Sequence, residues 1–378
     1  MLLYIDFPSW LTPEVFGAFQ LPAWLGFLKI LRWYGIAYIV GIAIAYYQMT
    51  YILKKDPIAN LDKKRFDDYL FWGIIGLVLG GRIFSCLVYD FEIYSKNPLG
   101  ILIPFHNGQF VGFQGMAYHG AVIGVLVVSL IFVRKYKIDF RSLCDVVFPA
   151  IPLGYTLGRI ANFINGELWG RITSSPIGVL FPDATKLPLT LPEVQQTITD
   201  LGWNINTLTG TALDRAGNDI SGVIAFVGST QMINLPRYPS QLFEALLEGI
   251  VLFLILWFPA RKFKPFKGFT APVYLAGYSV FRLMLEFFRQ PDSQFADLSA
   301  GKYHGFIFAG VTMGQILSVL MIIGSIWLFF YFRKLSFRDV SSRNQSKNDK
   351  LNDKLNGKLN DKHKPVKVNN TKTNKRKK

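Results

Sequence analysis

The sequence predicts an all-α integral membrane protein with seven transmembrane helices, a small extracytoplasmic head and a disordered basic C-terminal tail. Three observations predict it. Of 378 residues, 51% are hydrophobic and only 17% charged, with a mean hydropathy of +0.28, which is too apolar for an ordinary soluble domain. The apolar residues gather in runs near the ~20 residues needed to cross ~30 Å of hydrocarbon. Lysine and arginine cluster in alternate connections between those runs, as in cytoplasmic loops.

Taken in order, Pro13–Phe27 reads as a short interfacial helix, with Trp10 and Trp24 at headgroup level. The start lacks the basic n-region of a cleavable signal peptide. The spans fall near Trp33–Tyr51, Tyr69–Tyr89, Tyr118–Val133, Leu143–Ile164, Leu242–Pro259, Ala271–Phe288 and Gly305–Phe332. The third and sixth are short. Basic clusters lie at Lys54, Lys55, Lys63, Lys64 and Arg65, then at Arg134, Lys135, Lys137 and Arg141, then at Arg261, Lys262, Lys264 and Lys267, and again from Arg333 and Lys334 onward. An odd span count puts all four on one side. The positive-inside rule then sets the N-terminus outside and the C-terminus in the cytoplasm.

Residues 1–332 form one membrane domain in this reading. Within it, 171–239 is a polar extracytoplasmic head, rich in Thr, Pro, Asn, Asp and Gly, and 183–222 is an insertion of unassigned fold. Residues 333–378 form the basic tail, disordered from about Ser341 for want of apolar content. The formal net charge of +16 invites a nucleic-acid partner, but its placement in loops and tail points to a membrane instead. Cys86 and Cys144 sit in apolar runs, without the spacing of a metal or redox pair. HExxH, GxSxG, P-loop and dinucleotide fingerprints are absent, so the reading includes no cofactor and no metal.

Charged residues inside apolar runs are costly, so they mark function by default. Arg159 and Asn162 share a helix face at the end of the fourth run. A guanidinium with neighbouring amides suits a phosphate. Gly154 and Gly158 allow close helix approach, Asn165-Gly166 suits a helix end, and Glu167 lies just beyond, near the membrane surface. Tyr278, Arg282, Glu286 and Arg289 follow spacings of four, four and three, one stripe of one helix; Glu286 pairs one arginine and leaves the other for an anion. His119 stands at the mouth of the third span behind Gln114-Gly115-Met116, where it is suited to take a proton. Tyr34 opens the first span as an interfacial aromatic. Arg82 and Asp145 are mid-span charges that require partners.

The run Gly158-Arg159-Ile160-Ala161-Asn162-Phe163-Ile164-Asn165-Gly166-Glu167-Leu168-Trp169-Gly170 resembles the signature of the prolipoprotein diacylglyceryl transferase family. Arg32-Trp33-Tyr34-Gly35, Tyr118-His119-Gly120, Pro239-Ser240-Gln241-Leu242-Phe243-Glu244, Phe281-Arg282 with Glu286-Phe287-Phe288-Arg289-Gln290-Pro291-Asp292, and Met313-Gly314-Gln315-Ile316-Leu317-Ser318 extend the resemblance in order over residues 30–330. It implies transfer of the diacylglyceryl group of phosphatidylglycerol to the lipobox cysteine of a prolipoprotein signal peptide, at the outer face of the bacterial inner membrane. Carried over by motif, Arg159 binds the lipid phosphate with Asn162, Arg282 stabilises the departing phosphate, and His119 is the candidate base for the thiol. Tyr34, Glu167, Gly170, Tyr278, Glu286 and Arg289 match further residues of the family. Tyr238 and Phe243 replace an imidazole and a phenol, and Gln114 replaces a glycine of that pattern. Without the resemblance, two other classes fit the same residues. One is a transporter or flippase passing an anion along the arginines, which inverted repeats would favour. The other is a scaffold that binds acidic lipid through its tail.

Overall fold

A computed structural model describes residues 4–17, 22, 25, 31–96, 98–101, 105–106, 109–110, 117–228, 230–290, 306 and 310–362. Trp24, Gln114, Gly115, Met116, Pro291, Asp292 and Gly305 lie outside them. The chain is predominantly helical. The bundle comprises α1 (Trp33–Lys55), α2 (Lys63–Phe84), α3 (Tyr118–Tyr136) and α4 (Phe140–Ile164), and after the head α6 (Ser240–Ala260), α7 (Thr270–Leu285) and α8 (Met313–Lys362). The head holds α5 (Pro192–Leu201).

Helix ends follow local chemistry. Asp62 caps α2 by accepting from Arg65 N at 2.8 Å, and Asp139 caps α4 by accepting from Arg141 N at 3.0 Å, each satisfying a backbone donor that the first turn leaves open. Glycines set the helix spacing. A Cβ on Gly76 would meet the Gly124 carbonyl at 2.9 Å, and one on Gly80 would strike Gly120 and Gly124, so α2 and α3 touch backbone to backbone. Gly41 of α1 meets Gly154 of α4 in the same way, at 3.3 Å. Gly158, expected to share that contact, faces open space.

Six helices among the described residues are long and apolar enough to cross a membrane: α1, Lys63–Tyr89, α3, α4, α6 and Met313–Ser342 of α8. The expected sixth span, α7, has 16 residues, about 24 Å at ~1.5 Å per residue, short of the hydrocarbon thickness. Large apolar side chains stand exposed along the outer faces, among them Ile39, Ile131, Trp327 and Phe330, as expected where lipid rather than water is the neighbour.

Three expectations change. The head is not all-α: β5 (Leu187–Pro188), β9 (Thr230–Ile233) and β8 (Ile224–Val227) form an antiparallel sheet in that order, beside the hairpin β6 (Asn204–Asn206)–β7 (Thr211–Leu213). Leu187, Val194, Leu201, Ile233 and Leu235 form its core. Strand β1 (Ile5–Asp6) pairs in parallel with β4 (Val179–Leu180), and Tyr4 packs edge-on to Trp203 at 5.5 Å, so Tyr4, Ile5 and Asp6 belong to the head. A further short pair, β2 (Phe105–His106) and β3 (Gln109–Phe110), lies between α2 and α3. Secondly, Pro13–Gly17 is a turn, not the start of a helix. Thirdly, α8 continues to Lys362 where disorder was expected from Ser341. Residues 341–362 contain no proline to break a helix whose nucleus already exists upstream.

The mid-span charges find partners. Arg82 donates to the carbonyls of Ile101 (3.1 Å) and Gly100 (3.0 Å) and to the Tyr94 hydroxyl (3.0 Å). Asp145 accepts from Gly268 N, Thr270 N and the Thr270 hydroxyl, and pairs with Lys264 at 3.5 Å. Cys86 and Cys144 are free and buried.

Candidate active site

The second half of α4 supplies Tyr155, Arg159 and Asn162. The helix ends at Asn165, Gly166 follows at φ +66° and Leu168 at φ +57°, so the chain turns back at the Asn-Gly step as the sequence suggested. The turn is held from outside. Gln241 Nε2 donates to the Glu167 carbonyl at 2.7 Å and Ser240 Oγ to the Leu168 carbonyl at 3.2 Å. Gly170 donates to the Tyr238 carbonyl at 2.8 Å and bridges Arg289. A Cβ at Gly170 would strike the backbone oxygens of Phe288 and Tyr238, which is the physical reason for glycine there. Arg237, fully buried, lies over the Trp169 ring at 4.1 Å and donates to the Thr185 carbonyl at 2.6 Å.

The centre is a carboxylate that the site expectation did not include. Glu244, at the first turn of α6, is fully buried. Its Oε2 pairs with Arg159 Nε at 2.9 Å and accepts from the Tyr155 hydroxyl at 3.3 Å. Its Oε1 lies 3.4 Å from Arg289 Nη1 and 3.9 Å from Arg282 Nη1. Three arginines from three chain segments thus meet one acid. Beyond Glu244 the helix widens to a π segment, Ala245–Val251, a distortion frequent at functional sites. It brings the buried Glu248 to the Tyr155 hydroxyl, which donates to it. The Tyr278 ring stands edge-on to Tyr155 at 6.1 Å.

Glu286 departs from its expected place. Helix α7 ends at Leu285, with Glu286 as its cap, so Arg289 is not on the helical stripe but in the bridge to Gly170. Glu286 pairs with Arg282 at 3.4 Å and accepts from the Thr312 hydroxyl at 2.8 Å, while Gly314 leaves room for its carboxylate. Arg289 turns to Glu244, so Glu286 does not leave one arginine unpaired as expected.

The donors are not exhausted. Arg159 engages Glu244 through Nε while its guanidinium rests over the Tyr155 ring at 4.8 Å. Its two Nη groups have no hydrogen-bond partner among the described residues. Arg282 holds both carboxylates at ion-pair distances of 3.4 and 3.9 Å, too long or too poorly aligned for good hydrogen bonds. Two guanidinium groups inside the bundle therefore keep donors for an anion.

Asn162 does not join Arg159. Its amide nitrogen donates to the Tyr34 hydroxyl and to Glu167 Oε1 at 3.0 Å, and Asn165 donates to the same oxygen at 3.2 Å. Glu167 is exposed. His119 is exposed at the first turn of α3, its ring 6.2 Å from Phe84 and 6.0 Å from Tyr118. It makes no hydrogen bond among the described residues.

Fold and cluster together define a class: a polytopic helical membrane protein that holds guanidinium donors ready inside its bundle. The family model for prolipoprotein diacylglyceryl transferase matches residues 23–331. The chain is similar to the phosphatidylglycerol–prolipoprotein diacylglyceryl transferase of Treponema denticola, 40% identical over 344 residues covering 86% of this chain and 94% of the relative. It is 35% identical to that of Treponema pallidum, with coverage of 86% and 94%. With that of Chlorobaculum tepidum it shares 37% identity, with coverage of 85% and 92%. The chain belongs to the prolipoprotein diacylglyceryl transferase family.

Proposed function

We propose that this chain transfers the diacylglyceryl group of phosphatidylglycerol to the thiol of a lipobox cysteine in a prolipoprotein signal peptide, the first step of bacterial lipoprotein maturation. The observation that carries the reading is the convergence of Arg159, Arg282 and Arg289 on the buried Glu244, with Arg159 Nη donors unspent. In the reaction the thiolate sulfur bonds to the glyceryl carbon, the C–O bond to phosphate breaks, and glycerol phosphate leaves with a second negative charge. Fixed guanidinium groups stabilise charge that develops in this way. Glu244 holds the three side chains in place, so little reorganisation is needed when the charge appears.

Arg159 binds the phosphate and Arg282 stabilises the leaving group. Arg289, with Glu286, sets the position of the pair. Tyr278 walls the site beside Tyr155. Tyr34, Asn162, Glu167 and Gly170 shape the turn that the headgroup enters. His119 takes the thiol proton from the mouth of α3, since a thiol of pKa ~8.5 needs a base or a positive field to act as a nucleophile. The protein sits in the inner membrane with α7 as a seventh, short span, the N-terminus and site outside and the tail in the cytoplasm. The alternation of basic loops supports that orientation.

The test is a transfer assay in proteoliposomes with glyceryl-labelled phosphatidylglycerol and a lipobox peptide, its cysteine free or alkylated. Label on the free-thiol peptide alone is the expected result. Label that crosses the bilayer without joining peptide would show a transporter instead.

A further inference from the structure

A cavity lies away from the arginine cluster. It has a volume of about 660 Å³ and opens between the end of α1, the end of α6 and the start of α7. Along α6 it sits about 20 Å from Glu244, at ~1.5 Å per residue, on the side of the basic loops. Tyr51, Trp257 and Phe263 give it aromatic walls, and Arg261, Lys262 and Lys264 give it charge.

Its acids are spent. Asp145 is buried and accepts from Gly268 and Thr270. Asp56 pairs with Lys264 at 2.6 Å, and Lys264 reaches Asp145 at 3.5 Å. Two cations remain. The Arg261 guanidinium lies 4.2 Å over Trp257 and 5.8 Å from the Tyr51 ring, with no carboxylate at ion-pair distance among the described residues. Lys262 lies over Phe263 at 5.5 Å and likewise has no acid partner there. Aromatic stacking fixes the plane of a guanidinium and leaves its outward N–H groups for a planar or tetrahedral anion. Beside the two cations, Phe258 and Phe263 are 59% and 69% exposed, an apolar flank to the cavity.

We propose that this cavity is a second lipid site, which holds the phosphate headgroup of an anionic phospholipid from the leaflet on the basic-loop side, opposite the reacting lipid. Arg261 and Lys262 bind the phosphate, Trp257 and Tyr51 position Arg261, and the acyl chains run along Phe258. Simple snorkelling of two cations to the interface would need neither the cavity nor the stacked arginine. The site neither supplies nor consumes the reacting lipid, so the proposal stands apart from the transfer reaction.

The experiment uses the full chain in bilayers doped with brominated-acyl phosphatidylglycerol or brominated-acyl phosphatidylcholine. The quenching assigned to Trp257 is the difference between wild type and Trp257→Phe. The expected result is preferential quenching by phosphatidylglycerol, reduced about fivefold for each cation removed in Arg261→Gln and Lys262→Gln and largely kept in Arg261→Lys. Transfer activity at saturating phosphatidylglycerol stays at the wild-type level in all three. Raising NaCl to about 0.5 M lowers the wild-type preference, a readout that needs no variant. Equal quenching by the two lipids, or a preference that neither salt nor the double Gln variant reduces, overturns the proposal. Displacement of the brominated lipid by free glycerol phosphate also overturns it, in favour of a soluble anion.

Discussion

At the residue scale, Glu244 carries the largest consequence. It is fully buried and faces three guanidinium groups. Removing one member of a buried ion cluster leaves the rest uncompensated, at a cost of about 3–5 kcal/mol. Glu244→Gln is therefore expected to lower the unfolding midpoint in detergent by several degrees and to reduce transfer with it, measured by thermal unfolding alongside the transfer assay. Glu286→Gln, whose carboxylate keeps a hydroxyl donor in Thr312, should cost less stability. Glu244 was legible by the rule that singled out Arg159, since Gln241, Glu244 and Glu248 are polar residues at helical spacing in an apolar run. It stood in the sequence only as the last letter of a motif. Arg289 shows the opposite limit: its spacing fits the α7 stripe, yet the helix ends at Leu285 and a bridge to Gly170 redirects it. A spacing argument does not see where a helix stops.

At the element scale, the α2–α3 contact and the Gly170 turn position the site. A Cβ at Gly124 would meet the backbone of Gly76 and Gly80, atoms that cannot swing aside. Gly124→Val is expected to push the helices apart and cost about 1–3 kcal/mol or more, read as a lower unfolding midpoint. Gly73→Ala, with open space around it, should be silent in the same measurement. The start of α4 has a pH signature. Burial works to raise the Asp139 carboxyl, but hydrogen bonds from Arg141 and Lys267 outweigh it and hold the group below its usual value. A carboxyl depressed in the folded state contributes stability above the unfolded value, near pH ~3.9, and loses it as pH falls through the folded one. Asp139→Asn should thus lower the midpoint at neutral pH, and its gap from wild type should close on acidification below about pH 4. The helical spans were legible because apolar runs and basic loops report them directly. The head was not, because its strands are two to four residues long and their partners are set by tertiary pairing. The link of Ile5 to Val179 joins segments that no local pattern connects.

At the scale of the whole molecule, the bundle holds the arginine cluster at one end and the aromatic-basic cavity at the other. The proposed orientation is checked by labelling single cysteines in intact cells: Lys186→Cys in the head should react with an impermeant maleimide, and Lys64→Cys between α1 and α2 should react only after permeabilisation. The long α8 stays against the bundle past Phe332: Leu335 packs on the same core cluster and Asp339 pairs with Arg141 at 2.6 Å. Truncation at residue 341 is expected to leave transfer unchanged, which separates the site from the tail. The central claim is that Arg159 and Arg282 form a clamp for the lipid phosphate. The direct measurement is the initial rate of diacylglyceryl transfer for Arg159→Ala, Arg282→Ala and Arg159→Lys, each confirmed folded by its unfolding midpoint. Loss of about 10²–10³-fold or more in the two alanine variants, with partial activity in Arg159→Lys, is the predicted result. Folded alanine variants that transfer at near the wild-type rate would contradict the account.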